Sequence, residues 1–239
     1  MQEVAGRSTL ASMRGVVFDF DGVIVDSEPL HEAALRDAAR ALGMDFTHER
    51  YVGEYIGYDD RDVLLAVSRD SGRKVTEAEA GRFHEVKREA FLRVIAEGRV
   101  APFGGSVELI RACAARGPIA VCSGARRHEI APILEHLGVM GLMAAVVSAD
   151  AVPRSKPDPA PYLLTAKLLG LPPRELAAIE DTPTGIASAI EAGYRVAGVA
   201  HSVDGGLLTR ATRVFGSTAE LSPEALHAMW EMGADACSR

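Results

Sequence analysis

Val16-Val17-Phe18-Asp19-Phe20-Asp21-Gly22-Val23 decides how this chain is read. An apolar run ends in two carboxylates two residues apart, followed by glycine. In a continuing strand Asp19 and Asp21 would share one face and repel. The chain must therefore turn here, and Gly22 permits it. The run before the turn, Gly15–Phe18, is apolar throughout rather than alternating, as in a strand covered on both faces. Similar runs recur at Pro118–Cys122, Ala145–Ser148, Leu176–Ile179 and Arg195–Val199, with a weaker one at Arg213–Phe215. Between them lie segments of helical spacing, namely Ser106–Arg116, Glu129–Leu137, Ala160–Leu169 and Thr184–Ala192. Repeated strand–helix–strand units predict an α/β fold with a parallel sheet wrapped by helices. Sites in such sheets gather beyond the carboxyl ends of the strands.

One stretch breaks the alternation. From Pro29 to Gly98 the pattern is helical only, with helices expected at His31–Leu42, Asp59–Arg69 and Thr76–Glu97. Thr76 and Glu79 have the spacing of a capping box. The reading is therefore a loose leader over residues 1–12, a sheet domain over 13–28 and 99–239, and an inserted all-helical module over 29–98. The two linkers, near Ser27–Pro29 and Gly98–Gly104, make a natural hinge.

Four polar clusters follow the apolar runs. At Asp19 and Asp21, one carboxylate can attack phosphorus while the other moves a proton to or from an oxygen. A strand-ending turn with solvated acids is the competing account. Ser123-Gly124-Ala125-Arg126 can hold a phosphoryl oxygen at a turn entering a helix, or Ser123 can be an ordinary N-cap. Lys156, in Ser155-Lys156-Pro157, can neutralise charge on a transferring group, or be a solvated loop lysine. Glu180-Asp181, with Asp19, make an oxygen-donor set suited to Mg²⁺. Acids near a helix start are also favourable without a metal, by roughly 0.3–1 kcal/mol.

Bulk composition narrows the classes. A chain of 239 residues with a net charge of −7 and scattered Lys and Arg has no footprint for nucleic acid. Cys113, Cys122 and Cys237 lack zinc spacing and are odd in number, so free thiols in a reducing cytoplasm are expected. No apolar stretch reaches the roughly 20 residues that span a bilayer.

Taken together, the clusters resemble the motifs of the haloacid dehalogenase superfamily. The run from Asp19 through Val23-Ile24-Val25-Asp26-Ser27-Glu28-Pro29-Leu30 to His31 resembles the branch of β-phosphoglucomutase and the sugar phosphatases. The resemblance, which covers Arg14 to about Val199, implies a Rossmann-like core with a helical cap inserted soon after the first strand. It implies Asp19 as nucleophile and metal ligand, and Asp21 as general acid/base with its carbonyl on Mg²⁺. Ser123 and Lys156 would bind the phosphoryl group. Asp181 would complete the metal site, with Glu180 on it or behind it. Gly22, Gly124, Arg126 and His31 would face the substrate. An acid at Asp21 favours phosphate esters over halides, because a halide leaves without a proton.

The expected partner is a small phosphorylated metabolite, a sugar or sugar-acid phosphate, with no nucleic acid and no membrane; oligomeric state is open. Phosphatase and phosphomutase readings both stand. His31 and Asp26-Ser27-Glu28 fit a mutase. Asp60 at the arginine position after Gly57, Ala125 in place of a serine, and Ala160-Pro161 in the lysine loop depart from it. A binding protein on the same scaffold would have lost a catalytic group, and none is lost.

Overall fold

A computed structural model describes residues 13–55, 58 and 60–230. The leader expected over residues 1–12, together with Gly57, Asp59 and Cys237, lies outside the described residues. The chain opens on β1 (Gly15–Phe18) and crosses β2 (Val25–Asp26). Helices α1 (Glu28–Ala41), α2 (His48–Arg50), α3 (Asp60–Asp70) and α4 (Glu77–Ala96) follow, and β3 (Ala101–Pro102) leads back. From there the order is α5 (Ser106–Ala114), β4 (Ile119–Cys122), α6 (Arg127–His136), β5 (Met143–Val147) and α7 (Ala160–Leu169). It ends with β6 (Leu176–Glu180), α8 (Pro183–Glu191), β7 (Arg195–Val199), β8 (Arg213–Phe215) and α9 (Pro223–Ala228). Contacts divide the described residues into two compact units, 13–25 with 102–230, and Asp26–Ala101.

The first unit is a six-stranded sheet in the order β5-β4-β1-β6-β7-β8, with every neighbouring pair parallel. It is the parallel sheet that the apolar runs predict, and Rossmann-like, as the family resemblance implies. Strand β1 is central, pairing Val17 with Ala120 on one side and Ala178 on the other. Chain order runs in opposite directions away from β1, so its carboxyl end is the switch point where such sheets open a crevice. Val17, Ala120, Cys122, Leu176 and Ala178 form one core with Tyr162 and Ala166 of α7 and Ile186 and Ala189 of α8. The small alanines let the helices approach the sheet closely.

The second unit is helical, with a core of Leu35, Ala38, Leu42, Tyr51, Tyr55, Val63, Val67 and Phe83. Helix α1 begins at Glu28, inside the expected linker, with Pro29 in its first turn. Proline's preset φ suits that position and costs no hydrogen bond there. Residues Tyr51–Tyr55 form a π-helical turn, and α9 starts where Ser222 accepts the Ala225 N–H. Neither was visible as periodicity, since both are shorter than two turns.

The Thr76 hydroxyl accepts the Glu79 N–H, and the Glu79 carboxylate accepts the Thr76 N–H, so the capping box is present. Thr76→Ala is expected to destabilise α4 by about 1 kcal/mol, read as a lower midpoint in urea unfolding. An unchanged midpoint would show that the box contributes nothing.

Candidate active site

The site is built at the carboxyl end of β1. Asp19 is still tied to the sheet, its N–H donating to Ile179 O at 2.9 Å. Its Oδ1 accepts the Phe20 N–H at 2.7 Å. The chain then turns tightly, with the Ile24 and Val25 amides both donating to Phe20 O and the Gly22 amide to Val25 O. Gly22 holds φ at +78°, and a Cβ there would lie 1.8 Å from Asp181 Oδ2. Glycine is thus required both by the backbone and by the close approach of a carboxylate. Asp21 forms a bridge to Val25 within the turn and is half-buried.

Lys156 reaches in from the loop after β5. Its ammonium donates to Glu180 Oε1 at 2.7 Å and to Cys122 O at 2.8 Å. It pairs with Asp19 Oδ1 at 2.9 Å. An ammonium has three protons, and three acceptors surround it. Burial disfavours its charge, but the carboxylates of Asp19 and Glu180 outweigh that and hold its pKa above the ordinary lysine value. The solvated-loop account of Lys156 does not describe this side chain.

Glu180 ends β6 opposite Gly198 of β7 and is 0% exposed. Its Oε1 also accepts the Tyr162 hydroxyl at 2.6 Å, while Oε2 has no hydrogen-bond partner. A Cβ on Gly185 would fall 2.0 Å from that Oε2, so the first turn of α8 passes directly over the carboxylate. Asp181 is buried, Ser202 hydrogen-bonds its side chain, and its Oδ1 is unpartnered. Burial, then the charge of Asp19, pushes Glu180 up to about 8, against the lowering pull of Lys156. The same two causes push Asp181 up to about 6.

Ligand oxygens of Asp19, Glu180 and Asp181 lie within 4.8 Å of one another. Buried carboxylate oxygens left without a partner are costly unless something satisfies them. The donors are all oxygen, and the set fits a hard divalent cation such as Mg²⁺.

The other sequence-derived residues fall as follows. Ser123, buried, follows β4 directly, its Oγ accepting the Ala125 N–H at 2.9 Å. It is not the N-cap of α6: that helix starts at Arg127 with Arg126 as N-cap, whose amide is held by Glu129. Two residues separate Ser123 from the cap, because the chain first makes the Ser123–Ala125 turn. Gly124 and Arg126 are exposed. His31 lies in the other unit, half-buried, its ring 5.0 Å from that of Phe91.

Sequence reading missed Tyr162, His201, Ser202 and the steric role of Gly185. His201 and Ser202 follow the apolar run Arg195–Val199, so the strand-end rule could have found them. No local signal marks Tyr162, whose hydroxyl meets Glu180 only because α7 packs on the sheet over β4 and β5.

Three comparisons bear on this geometry. Residues 13–193 match the family model for haloacid dehalogenase-like hydrolases. The chain is similar to a phosphorylated carbohydrates phosphatase of Thermotoga maritima, 28% identical over 214 residues, covering 89% of this chain and 95% of that protein. It is also similar to the fructose-1-phosphate phosphatase YqaB of Escherichia coli, 28% identical over 188 residues, covering 75% of this chain and 92% of the relative. Among solved structures, CbbY from Rhodobacter sphaeroides in complex with phosphate aligns with a TM-score of 0.75 at 26% identity, over 90% of this chain and 99% of that one.

The raised carboxyl pKa values carry a stability consequence. A carboxyl that holds its proton more tightly when folded stabilises the fold below its unfolded pKa. That contribution disappears as pH rises through the folded value. For Asp181 the window runs from 3.8 to about 6, and for Glu180 from 4.5 to about 8. In EDTA, the melting temperature is expected to lose this contribution across pH 4–8, while Mg²⁺ restores it by binding the ionised site. Melting scans with and without Mg²⁺ should therefore diverge with rising pH. A gap that is the same at pH 5 and pH 8, the latter being where Glu180 titrates, would contradict the reading.

Proposed function

The chain belongs to the haloacid dehalogenase-like hydrolases and, like its named relatives, is a phosphatase-type enzyme of that family, and on that basis we propose that it is a Mg²⁺-dependent hydrolase of small sugar or sugar-acid phosphate monoesters, working through an aspartyl-phosphate on Asp19. The observation that carries the reading is the Lys156 ammonium set between Asp19 and Glu180, beside carboxylate oxygens that lack partners. A purely structural ion pair does not leave buried acceptors open.

In the proposed reaction an oxygen of Asp19 attacks phosphorus in line, and the bond from phosphorus to the leaving oxygen breaks. Asp21 donates a proton to that oxygen, so that an alcohol departs. Asp21 then takes a proton from water as the water attacks the phospho-Asp19, releasing inorganic phosphate and restoring the carboxylate. Lys156, turning to the transferring group the proton it gives Asp19 Oδ1, and Ser123 hold the phosphoryl oxygens, with Gly124 at the same turn. Asp19, Asp181 and the Asp21 carbonyl would hold Mg²⁺, with Glu180 on it or behind it. The ion, when bound, supplies positive charge against the oxygens of the transferring group.

Residues 29–98 are proposed as the cap that selects the leaving group, with His31 and Arg126 toward substrate. Support for the substrate class is the relatives' own: the Thermotoga maritima protein is named for phosphorylated carbohydrates and YqaB for fructose 1-phosphate. We place the enzyme in the cytoplasm. Among the described residues no helix is long and apolar enough to cross a membrane, and Cys113 and Cys122 are free thiols.

A panel of phosphorylated metabolites with Mg²⁺, scored for free phosphate, tests the proposal. Turnover of at least one sugar or sugar-acid phosphate is expected, falling to background for Asp19→Asn. Activity surviving in that variant would rule out the nucleophile. With β-glucose 1-phosphate and a bisphosphate primer, isomer forming faster than phosphate would replace hydrolysis with a phosphomutase.

A further inference from the structure

One histidine has both ring nitrogens committed to backbone behind the Asp19–Asp21 turn. His201 Nε2 lies 3.2 Å from the Thr218 amide, which donates to it. An amide N–H can only donate, so Nε2 carries no proton and Nδ1 does. That proton goes to the Gly22 carbonyl, 2.8 Å from Nδ1, which can only accept. The ring is further fixed by stacking on Phe103, centroids 4.0 Å apart at 16°. Phe103 in turn donates its N–H to Ile24 O, and Ser106 Oγ donates to the same carbonyl. The turn from Phe20 to Val25 is thus gripped at Gly22 and at Ile24 by groups distant in sequence, Ser106 lying 82 residues from Ile24 and His201 179 from Gly22.

We propose that His201 is a positioning residue for Asp21: by holding the Gly22 carbonyl with its Nδ1–H, it sets the direction in which the preceding carboxyl points. This rests on the reading of Asp21 as the group that protonates the leaving oxygen. Two observations support it. Gly22 is left-handed and has no Cβ, so its backbone rotates more freely than its neighbours', and His201 holds its carbonyl. Asp181 Oδ2 and Ser202 Oγ lie 1.8 and 2.5 Å from where a Gly22 Cβ would stand, so a shift of Gly22 is felt directly at the proposed metal site. General acid catalysis needs the donor within hydrogen-bond reach of its target.

Two amide substitutions separate the roles of the ring. Asn can donate from the place of Nδ1 to Gly22 but cannot reach Thr218. Gln can accept from Thr218 at the place of Nε2 but leaves Gly22 unheld. The ratio kcat/KM, which reports only the steps through departure of the leaving group and not the shared hydrolysis of phospho-Asp19, is compared on 4-nitrophenyl phosphate, whose phenolate leaves without a proton, and on the sugar phosphate that the wild type turns over fastest. His201→Gln is expected to lower the sugar-phosphate kcat/KM by about tenfold or more relative to the nitrophenyl ester, a fraction of the roughly 10²–10⁴ that general acid catalysis supplies. His201→Asn should lose less than His201→Gln. Equal losses for Asn and Gln that follow their melting temperatures, with no dependence on leaving group, would overturn the proposal. Asp21→Asn run alongside separates the two readings. If Asp21→Asn discriminates between the leaving groups and His201→Gln does not, only the role of His201 falls. If Asp21→Asn does not discriminate, the role of Asp21 falls with it.

Discussion

Everything at the carboxyl end of the sheet depends on one buried ammonium. Lys156 sits between Asp19 and Glu180 and takes the Cys122 carbonyl as its third acceptor. These groups come from β6 and from the ends of β1 and β4, three strands brought side by side by parallel pairing. Without a cation there, two carboxylates would face each other in an apolar surround, and one would have to stay protonated. With it, the negative charge is partly balanced while Glu180 Oε2 and Asp181 Oδ1 stay open. An ion pair of this kind is a poor source of stability, because desolvation consumes most of the attraction. Its value lies in what it keeps in place.

Around that pair the backbone is shaped by close approach. Gly22 lies against Asp181, and Gly185 against Glu180, each at a distance no side chain would tolerate. Tyr162 carries the same constraint from the helix layer, its hydroxyl sharing Glu180 Oε1 with Lys156. The carboxylates are therefore held from four directions: strand, loop, helix start and helix flank. The raised pKa values of Glu180 and Asp181 follow from burial and from the charge of Asp19, and they are the electrostatic counterpart of the unpartnered oxygens.

Much of this was legible in residue order, for identifiable reasons. Strands buried on both faces leave runs with no alternation, so Gly15–Phe18 and Leu176–Ile179 could be located from hydropathy alone. The extra residue in β6 was not: Glu180 is charged, and nothing local says that a glutamate continues a buried strand. Helix starts with side-chain caps were readable, as at Thr76. The Ser123 turn was not, because a serine before a helix looks the same whether it caps the helix or precedes the cap by several residues.

Sequence by itself determined the alternation of strands and helices, the helical insertion and the types of group placed at strand ends. These are local properties, written in period, composition and spacing. Only the tertiary structure decided which of those groups meet. Asp19, Lys156 and Glu180 are joined by sheet order, Tyr162 by the packing of α7, and His201 by a loop folding back behind Gly22. Such contacts span long separations and depend on where whole elements lie, which no window of sequence contains.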